Sequence, residues 1–466
     1  MDFISTRGNV AKHGFIDTFL MGLAEDGGLM IPAQLPSFDA ETLAAWQKLN
    51  YLELMSEIFR RFANDEIPRA DLDDLIRRSY EGFRSDEVTP LKQIGDKLHI
   101  LELFHGPTFA FKDVALQFIG NLYSYVAKKQ NKIINILGAT SGDTGAAAIE
   151  GVRGKDGIRI CILHPHQKVS KVQELQMTTV DDENVLNLAV KGTFDDCQRI
   201  IKDLFADVEY KSEYHLRAIN SINFVRILAQ TVYYFYAYFR IVERTPGAKV
   251  SFSVPTGNFG NILSAYLAKR MGLPIGRLML ATNENNILER FVKEGVYMPD
   301  EFRSTYSPSM DIQVASNFER YLYYVMDENP DVVSALMQQF RTEGRVTLTG
   351  EKLRKVQEDF LAHGVTNGEC LATIESYEKD AGYLLDPHTA CGVAAYEAYK
   401  DENEVCVVLA TAHPAKFDES IRLVGIGQSF PPEISELFDR PQYQTVVDNS
   451  NEEVAKQLER FFGTKA

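Results

Sequence analysis

A chain of 466 residues is too long for a single compact core, and about two to four domains are expected. Its composition, 45% hydrophobic and 24% charged, is that of an ordinary globular protein, and a formal net charge of −16 argues against nucleic acid or an anionic membrane as the main partner. No stretch approaches the ~20 uninterrupted apolar residues of a transmembrane helix, and the opening MDFISTRGNVAKHGF has no apolar signal-peptide core, so a cytoplasmic address is expected. The cysteines Cys161, Cys197, Cys370, Cys391 and Cys406 are scattered with no CxxC pair, so neither a disulfide framework nor a metal site is indicated.

Residues 1–90 read as mostly helical. After the turn-rich LAEDGGLMIPAQLPSF, the stretches ETLAAWQKLNYLELMSEIFRRF and RADLDDLIRRSYEGF carry apolar residues at helical spacing. From about residue 91 the pattern changes to short β-branched runs between amphipathic segments. KIINIL (132–137), IRICIL (158–163), VLNLAV (185–190), KVSFSV (249–254), RLMLAT (277–282) and VCVVLA (405–410) read as buried strands. Their alternation with helices implies βα units and a parallel sheet. ERTPGAK, around residues 244–248, marks a boundary between two such regions. The expected organisation is therefore a helical region 1–90, α/β domains at 91–245 and 246–430, and a tail 431–466. EDFLAHGVTNGECLATIESYEK reads as a helix-rich insert.

Three of the strands run into unusual turns, at the carboxyl ends where open α/β sheets hold ligands. KIINIL leads into GATSGDTGAAA, KVSFSV into PTGNFGNILSAYLAK, and VCVVLA into TAHPAKF. In the second turn, Gly257, Asn258, Gly260 and Asn261 let backbone N–H groups converge at a helix start. That forms an anion cradle, although a Gly-Asn turn also closes ordinary βα loops. No Walker lysine follows, which argues against a nucleoside triphosphate site. In the first turn, Thr140, Ser141, Asp143 and Thr144 offer hydroxyls and a carboxylate, more than capping alone requires.

The stretch HGPTFAFKDVALQF places Lys112 in an almost wholly apolar setting. Either its stem lies on apolar surface with the ammonium in water, paired with Asp113 or Glu102, or desolvation prepares a neutral amine to condense with a carbonyl. A lysine, a phosphate cradle and polar turns together suit pyridoxal 5′-phosphate, which needs an amine partner, an anion site and a partner for its ring nitrogen.

FHGPTFAFKD, GATSGDTG, VPTGNFGN and ATAHPAKF occur in this order, and with the opening GLAEDGGLMIP they resemble threonine synthases of the bacterial and fungal type across essentially the whole chain. The resemblance implies an α/β, fold type II pyridoxal-phosphate enzyme, like the tryptophan synthase β-subunit. Its two α/β domains would have open, twisted, mostly parallel sheets beside a helical N-terminal region. It implies that Lys112 is the Schiff-base lysine and that Gly257, Asn258, Phe259, Gly260 and Asn261 bind the cofactor phosphate. Thr411 would meet the pyridine nitrogen. Asp143 takes the place of the asparagine that many relatives hold near the cofactor's 3-hydroxyl, and an aspartate donates only when protonated.

The substrate implied is O-phospho-L-homoserine, its carboxylate and phosphate falling to Thr140, Ser141, Thr144, Asn220, Ser221, Arg226 and Lys416. His413 ranks below Lys416. On residues alone, Arg226 also reads as an exposed helix charge. Rival readings are a phospho-lyase giving a 2-oxo acid and a non-catalytic α/β binding protein. The sequence leaves the oligomeric state open.

Overall fold

The computed structural model describes residues 1–63 and 66–463. They form two compact units. One comprises Met1–Ile76, Arg84–His105 and Ser221–Gly427; the other comprises Arg77–Phe83, Gly106–Asn220 and Gln428–Ala466.

The first unit is built on a six-stranded sheet. Its strand order is Phe360–Gly364, Ile275–Thr282, Lys249–Pro255, Glu404–Ala410, Leu98–Glu102 and Leu91–Gln93, parallel throughout except for the last pair. Strand Glu404–Ala410 is buried along its whole length, which explains its unbroken apolar run in place of an alternating one. Helix Pro387–Tyr399 packs on the sheet, with Val393 and Ala394 against Ile100, Met279 and Val408. Phe360–Gly364, expected inside a helix-rich insert, is instead the edge strand, and helix Asn367–Ala381 follows it. The misreading has a physical source, because FLAHG carries no β-branched residue to mark it as a strand.

In the N-terminal region, the long periodic stretch after residue 40 is two helices, Ala40–Trp46 and Tyr51–Ala63. The break falls at Asn50. Its side chain accepts from the Glu53 N–H, and the Glu53 carboxylate accepts from the Asn50 N–H, each at 3.0 Å, which starts a new helix there. The turn-rich segment also contributes strand Met30–Pro32, antiparallel to Phe3–Ser5.

The second unit holds a five-stranded, all-parallel sheet in the order Thr445–Val447, Val185–Val190, Ile158–Pro165, Ile134–Ala139 and Leu216–Ala218. Helices Lys112–Gln130 and Asp143–Val152 cross closely at two glycines: a Cβ on Gly120 would lie 1.8 Å from the Gly151 carbonyl oxygen. The tail supplies an edge strand and helix Asn451–Phe462, whose Val454, Leu458 and Phe462 join Cys161, Leu188 and Ile200 in one core.

These units are not the contiguous segments expected from composition. Residues 84–105 and 221–245 belong with the six-stranded sheet, because Leu98–Glu102 pairs with its central strand and helix Phe224–Arg244 packs on helix Gly260–Arg270. The tail after Gly427 belongs with the five-stranded sheet. Its last three residues lie outside the described ones. Among the described residues no helix is long and apolar enough to cross a membrane.

Candidate active site

Lys112 opens the helix Lys112–Gln130, and its side chain is only 10% exposed. That burial removes the reading of an ammonium held in water. The neighbouring carboxylate is occupied elsewhere: Asp113, fully buried, accepts from the Thr108 N–H at 2.8 Å and the Thr108 hydroxyl at 2.7 Å. Gly106 makes room for this arrangement, since a Cβ there would lie 2.3 Å from the Asp113 Cβ. Glu102, the other expected partner, accepts from Tyr383 and pairs with His105, each at 2.8 Å. The Lys112 amine instead donates to Asp143 Oδ2 at 3.1 Å and lies 5.1 Å from the Phe111 ring centroid.

Asp143 begins the helix that follows strand Ile134–Ala139, and the structure seats it beside the lysine. Thr140, expected to meet the substrate, also has a structural task in this turn. Its hydroxyl accepts the N–H groups of Gly142 at 3.0 Å and Gly145 at 2.9 Å, so it closes the turn. Ser141 is exposed and Thr144 half-buried in the same turn. Asn220, also half-buried, ends this stretch of the unit.

The other unit carries the glycine loop after strand Lys249–Pro255. A Cβ on Gly257 would meet the Ser309 carbonyl oxygen at 2.8 Å, so only glycine lets the 307–312 segment form one wall of the loop. Phe259 stands at φ 64°, a left-handed conformation costing of order 1–3 kcal/mol outside glycine. Its ring is held by Phe318, Tyr321 and Phe360 at centroid distances of 6.0, 5.6 and 5.7 Å, so it packs as core and only its backbone is left to a ligand. Asn258 Oδ1 accepts from the Ser316 hydroxyl at 3.2 Å, while its carbonyl accepts from the Asn317 N–H at 3.1 Å.

Two buried donors near this loop have no acceptor among the described residues: Asn261 Nδ2 and Arg226 Nη1. The Asn261 oxygen accepts from the hydroxyls of Tyr233 at 2.5 Å and Tyr234 at 2.7 Å, which turns its NH2 group away from them. Tyr233 is also the electrostatic neighbour of Arg226. Arg226 is buried, not an exposed helix charge, and burial pushes its guanidinium down to about 10, still cationic at neutral pH. Ser221 reaches the same loop through a 2.7 Å hydrogen bond to the Ser316 hydroxyl.

Thr411 is buried at the carboxyl end of strand Glu404–Ala410. Lys416 is buried in the short turn Pro414–Phe417. His413 caps that turn, its Nδ1 accepting from the Ala415 N–H at 3.1 Å, and burial pushes it down to about 4, so the ring is neutral at pH 7.

Sequence reasoning missed the groups behind these. Buried Arg320 donates to Asn317 Oδ1 at 2.5 Å, and Asn317 in turn donates to the Ser221 carbonyl at 2.9 Å. The buried Asp386 carboxylate accepts a hydrogen bond from the His388 Nδ1–H at 2.8 Å, so Nε2 accepts from the Ser309 N–H at 3.1 Å and steadies the wall facing Gly257. Asp386-Pro387 is legible as a helix start, but nothing in the sequence ties it to this loop.

Residues 2–80 match the family described as threonine synthase N terminus, residues 84–411 the pyridoxal-phosphate dependent enzymes, and residues 389–458 the family described as threonine synthase, C-terminal. A threonine synthase of Saccharomyces cerevisiae is 46% identical over 97% of this chain and 96% of its own. One of Pseudomonas aeruginosa is 44% identical over 96% of each chain. The crystal structure of a PLP-bound threonine synthase from Brucella melitensis superposes with a TM-score of 0.96 at 43% identity, covering 99% of both chains. The fold, the order of its turns and this end-to-end likeness agree: the chain belongs to the threonine synthase family of pyridoxal-phosphate-dependent enzymes.

Proposed function

We propose that this protein converts O-phospho-L-homoserine and water to L-threonine and inorganic phosphate, with Lys112 as the residue that carries the cofactor. The observation behind the reading is the likeness to threonine synthases from one end of the chain to the other, because the site chemistry alone would serve many enzymes of this cofactor class. A cytoplasmic location belongs to the same proposal and accords with five buried cysteines that form no disulfide.

The residues present fit pyridoxal 5′-phosphate. Asn261 Nδ2 is a buried donor with no acceptor among the described residues, and it stands at a glycine-walled loop at a helix start. A phosphate monoester supplies the oxygens such a donor needs. Gly257, Asn258, Phe259, Gly260 and Asn261 would hold that phosphate, the Lys112 Nζ would hold the aldehyde carbon, and the Thr411 hydroxyl would meet the ring nitrogen. When bound, the cofactor withdraws electrons from the substrate's α-carbon and makes proton loss there accessible.

The remaining work falls to this chain's side chains. Lys112, once released as a free amine, takes the proton from Cα and returns protons as the phosphate at Cγ leaves and water adds at Cβ. Asp143, 3.1 Å from the amine, receives or returns the proton that decides whether Lys112 is a base or an acid. Thr140, Ser141, Thr144, Asn220, Ser221, Arg226 and Lys416 are the candidates for the substrate's carboxylate and phosphate.

Two measurements test this. Incubation with phosphohomoserine is expected to release phosphate and threonine in equal amounts. Formation of 2-oxobutyrate and ammonia in place of threonine would mark a phospho-lyase, and no release at all would mark a binding protein. The second measurement concerns the cradle. The double substitution Tyr233→Phe, Tyr234→Phe removes both hydroxyls that orient the Asn261 amide. It is expected to weaken pyridoxal 5′-phosphate binding roughly tenfold and to leave pyridoxal, which has no phosphate, unaffected. Equal weakening for both ligands would reduce the tyrosines to scaffold.

A further inference from the structure

The carboxylate beside Lys112 is held from behind by a helix that the proposed mechanism does not use. Helix Lys171–Thr178 sends Gln173 to Asp143: the Gln173 Nε2 group donates to Asp143 Oδ1 at 2.7 Å, while Asp143 Oδ2 accepts from Lys112 at 3.1 Å. The amide's orientation follows from its neighbours. A carboxylate only accepts, so nitrogen must face Asp143, and the Gln173 oxygen accepts from the Ser170 hydroxyl at 2.9 Å. Each of the three hydrogen bonds that link Ser170 to Lys112 therefore has a fixed donor and acceptor, and two of them end on Asp143. Gln173 and Asp143 are both buried, which strengthens the charge-assisted hydrogen bond between them.

Two further features serve the same contact. Gly142 stands at φ 146°, and a Cβ there would lie 2.4 Å from Gln173 Oε1, so glycine both permits the turn and leaves the space the glutamine fills. One turn along the helix, Gln176 donates to the Thr108 carbonyl at 3.0 Å, and Thr108 holds Asp113 beside Lys112. The helix thus grips the lysine loop and the aspartate turn together.

We propose that Gln173 is a positioning residue for Lys112: by holding Asp143 with one oxygen toward the amine, it sets how readily Lys112 surrenders a proton and takes up an aldehyde. In that step the Lys112 ammonium gives a proton to Asp143, the neutral nitrogen adds to the aldehyde carbon, and water leaves. The inference rests on the proposed role of Lys112.

The test strips the purified holoenzyme of cofactor, adds back pyridoxal 5′-phosphate, and follows covalent uptake by absorbance, with borohydride reduction and peptide mapping to locate the attachment. Gln173→Met keeps the volume and removes the donor. Uptake is expected to slow roughly tenfold, with kcat falling by a similar factor and KM changing less than about twofold. In an Asp143→Asn background the same substitution is expected to add nothing further, since the group it acts through is gone. If Gln173→Met does not fold, Gln173→Glu carries the test: a second carboxylate against Asp143 forces the pair to share a proton, and uptake slows as well.

Unchanged uptake and kcat in the folded variant overturn the inference, and so does an undiminished effect in the Asp143→Asn background, which would make Gln173 scaffold only. A wild-type protein whose Lys112 takes up no cofactor overturns the proposed function and this inference with it. A wild type that does so, beside unaffected Gln173 variants, overturns this inference alone.

Discussion

Lys112→Ala is expected to lose covalent cofactor attachment and to depress turnover of phosphohomoserine by at least ~10⁴-fold, because nucleophile and proton carrier disappear together. The fold should survive. The Lys112 side chain is a buried partner of Asp143, but that carboxylate keeps its 2.7 Å hydrogen bond from Gln173 when the amine is removed. Lys112→Arg separates charge from chemistry. A guanidinium preserves a cation opposite Asp143 yet stays protonated and cannot condense with an aldehyde, so this variant is expected to be as inactive as alanine. Borohydride reduction followed by peptide mapping, together with phosphate release, reads both effects. Turnover within tenfold of wild type in either variant would remove Lys112 from the centre of the proposed reaction.

Gly120→Ala is expected to destabilise the unit that carries Lys112 by about 1–3 kcal/mol, the range for forcing extra volume into a close-packed contact. The cause is backbone against backbone. The new methyl would sit 1.8 Å from the Gly151 carbonyl oxygen, and in the reverse direction a Cβ on Gly151 would lie 2.5 Å from the Leu116 carbonyl oxygen. No rotamer relieves either contact, so the two helices must move apart. One of those helices starts at Lys112 and the other at Asp143, so separation also lengthens the 3.1 Å pair between them and lowers turnover.

The control is Gly368→Ala, in helix Asn367–Ala381, where a Cβ meets nothing within 4 Å. Helix propensity there favours alanine by up to ~1 kcal/mol, so stability should hold or rise. Thermal unfolding and hydrogen exchange across helices Lys112–Gln130 and Asp143–Val152 would measure the difference. Equal stability of Gly120→Ala and wild type would mean that this helix crossing tolerates side chains.

The structure's six-stranded and five-stranded sheets contain all six runs that read as strands, from Ile134–Ala139 to Glu404–Ala410. They were legible because buried parallel strands are continuous apolar runs, a local property that pairing does not alter. Leu98–Glu102 and Phe360–Gly364 were not legible. The first, LHILE, is short and holds a histidine and a glutamate; the second lacks β-branched residues, and both became strands by pairing with better ones. The glycine loop and the lysine turn were visible as motifs for a local reason too: the close approaches at Gly257 and Gly106 admit only glycine, although the left-handed φ of Phe259 carries no such mark.

What the sequence by itself determined, then, is the six buried parallel strands, the chemistry-bearing turns, and the family to which their order belongs. Only the tertiary structure decided that Lys112 pairs with Asp143 and not with adjacent Asp113, and that Arg226 is buried near Asn261 by way of Tyr233. It also decided that Gln173 stands behind the aspartate and that the tail joins the five-stranded sheet. The physical reason is common to all of them. A hydrogen-bond partner or a packing neighbour is chosen by distance in space, and residues 30 to 290 positions apart carry no local mark of the partner that folding brings to them.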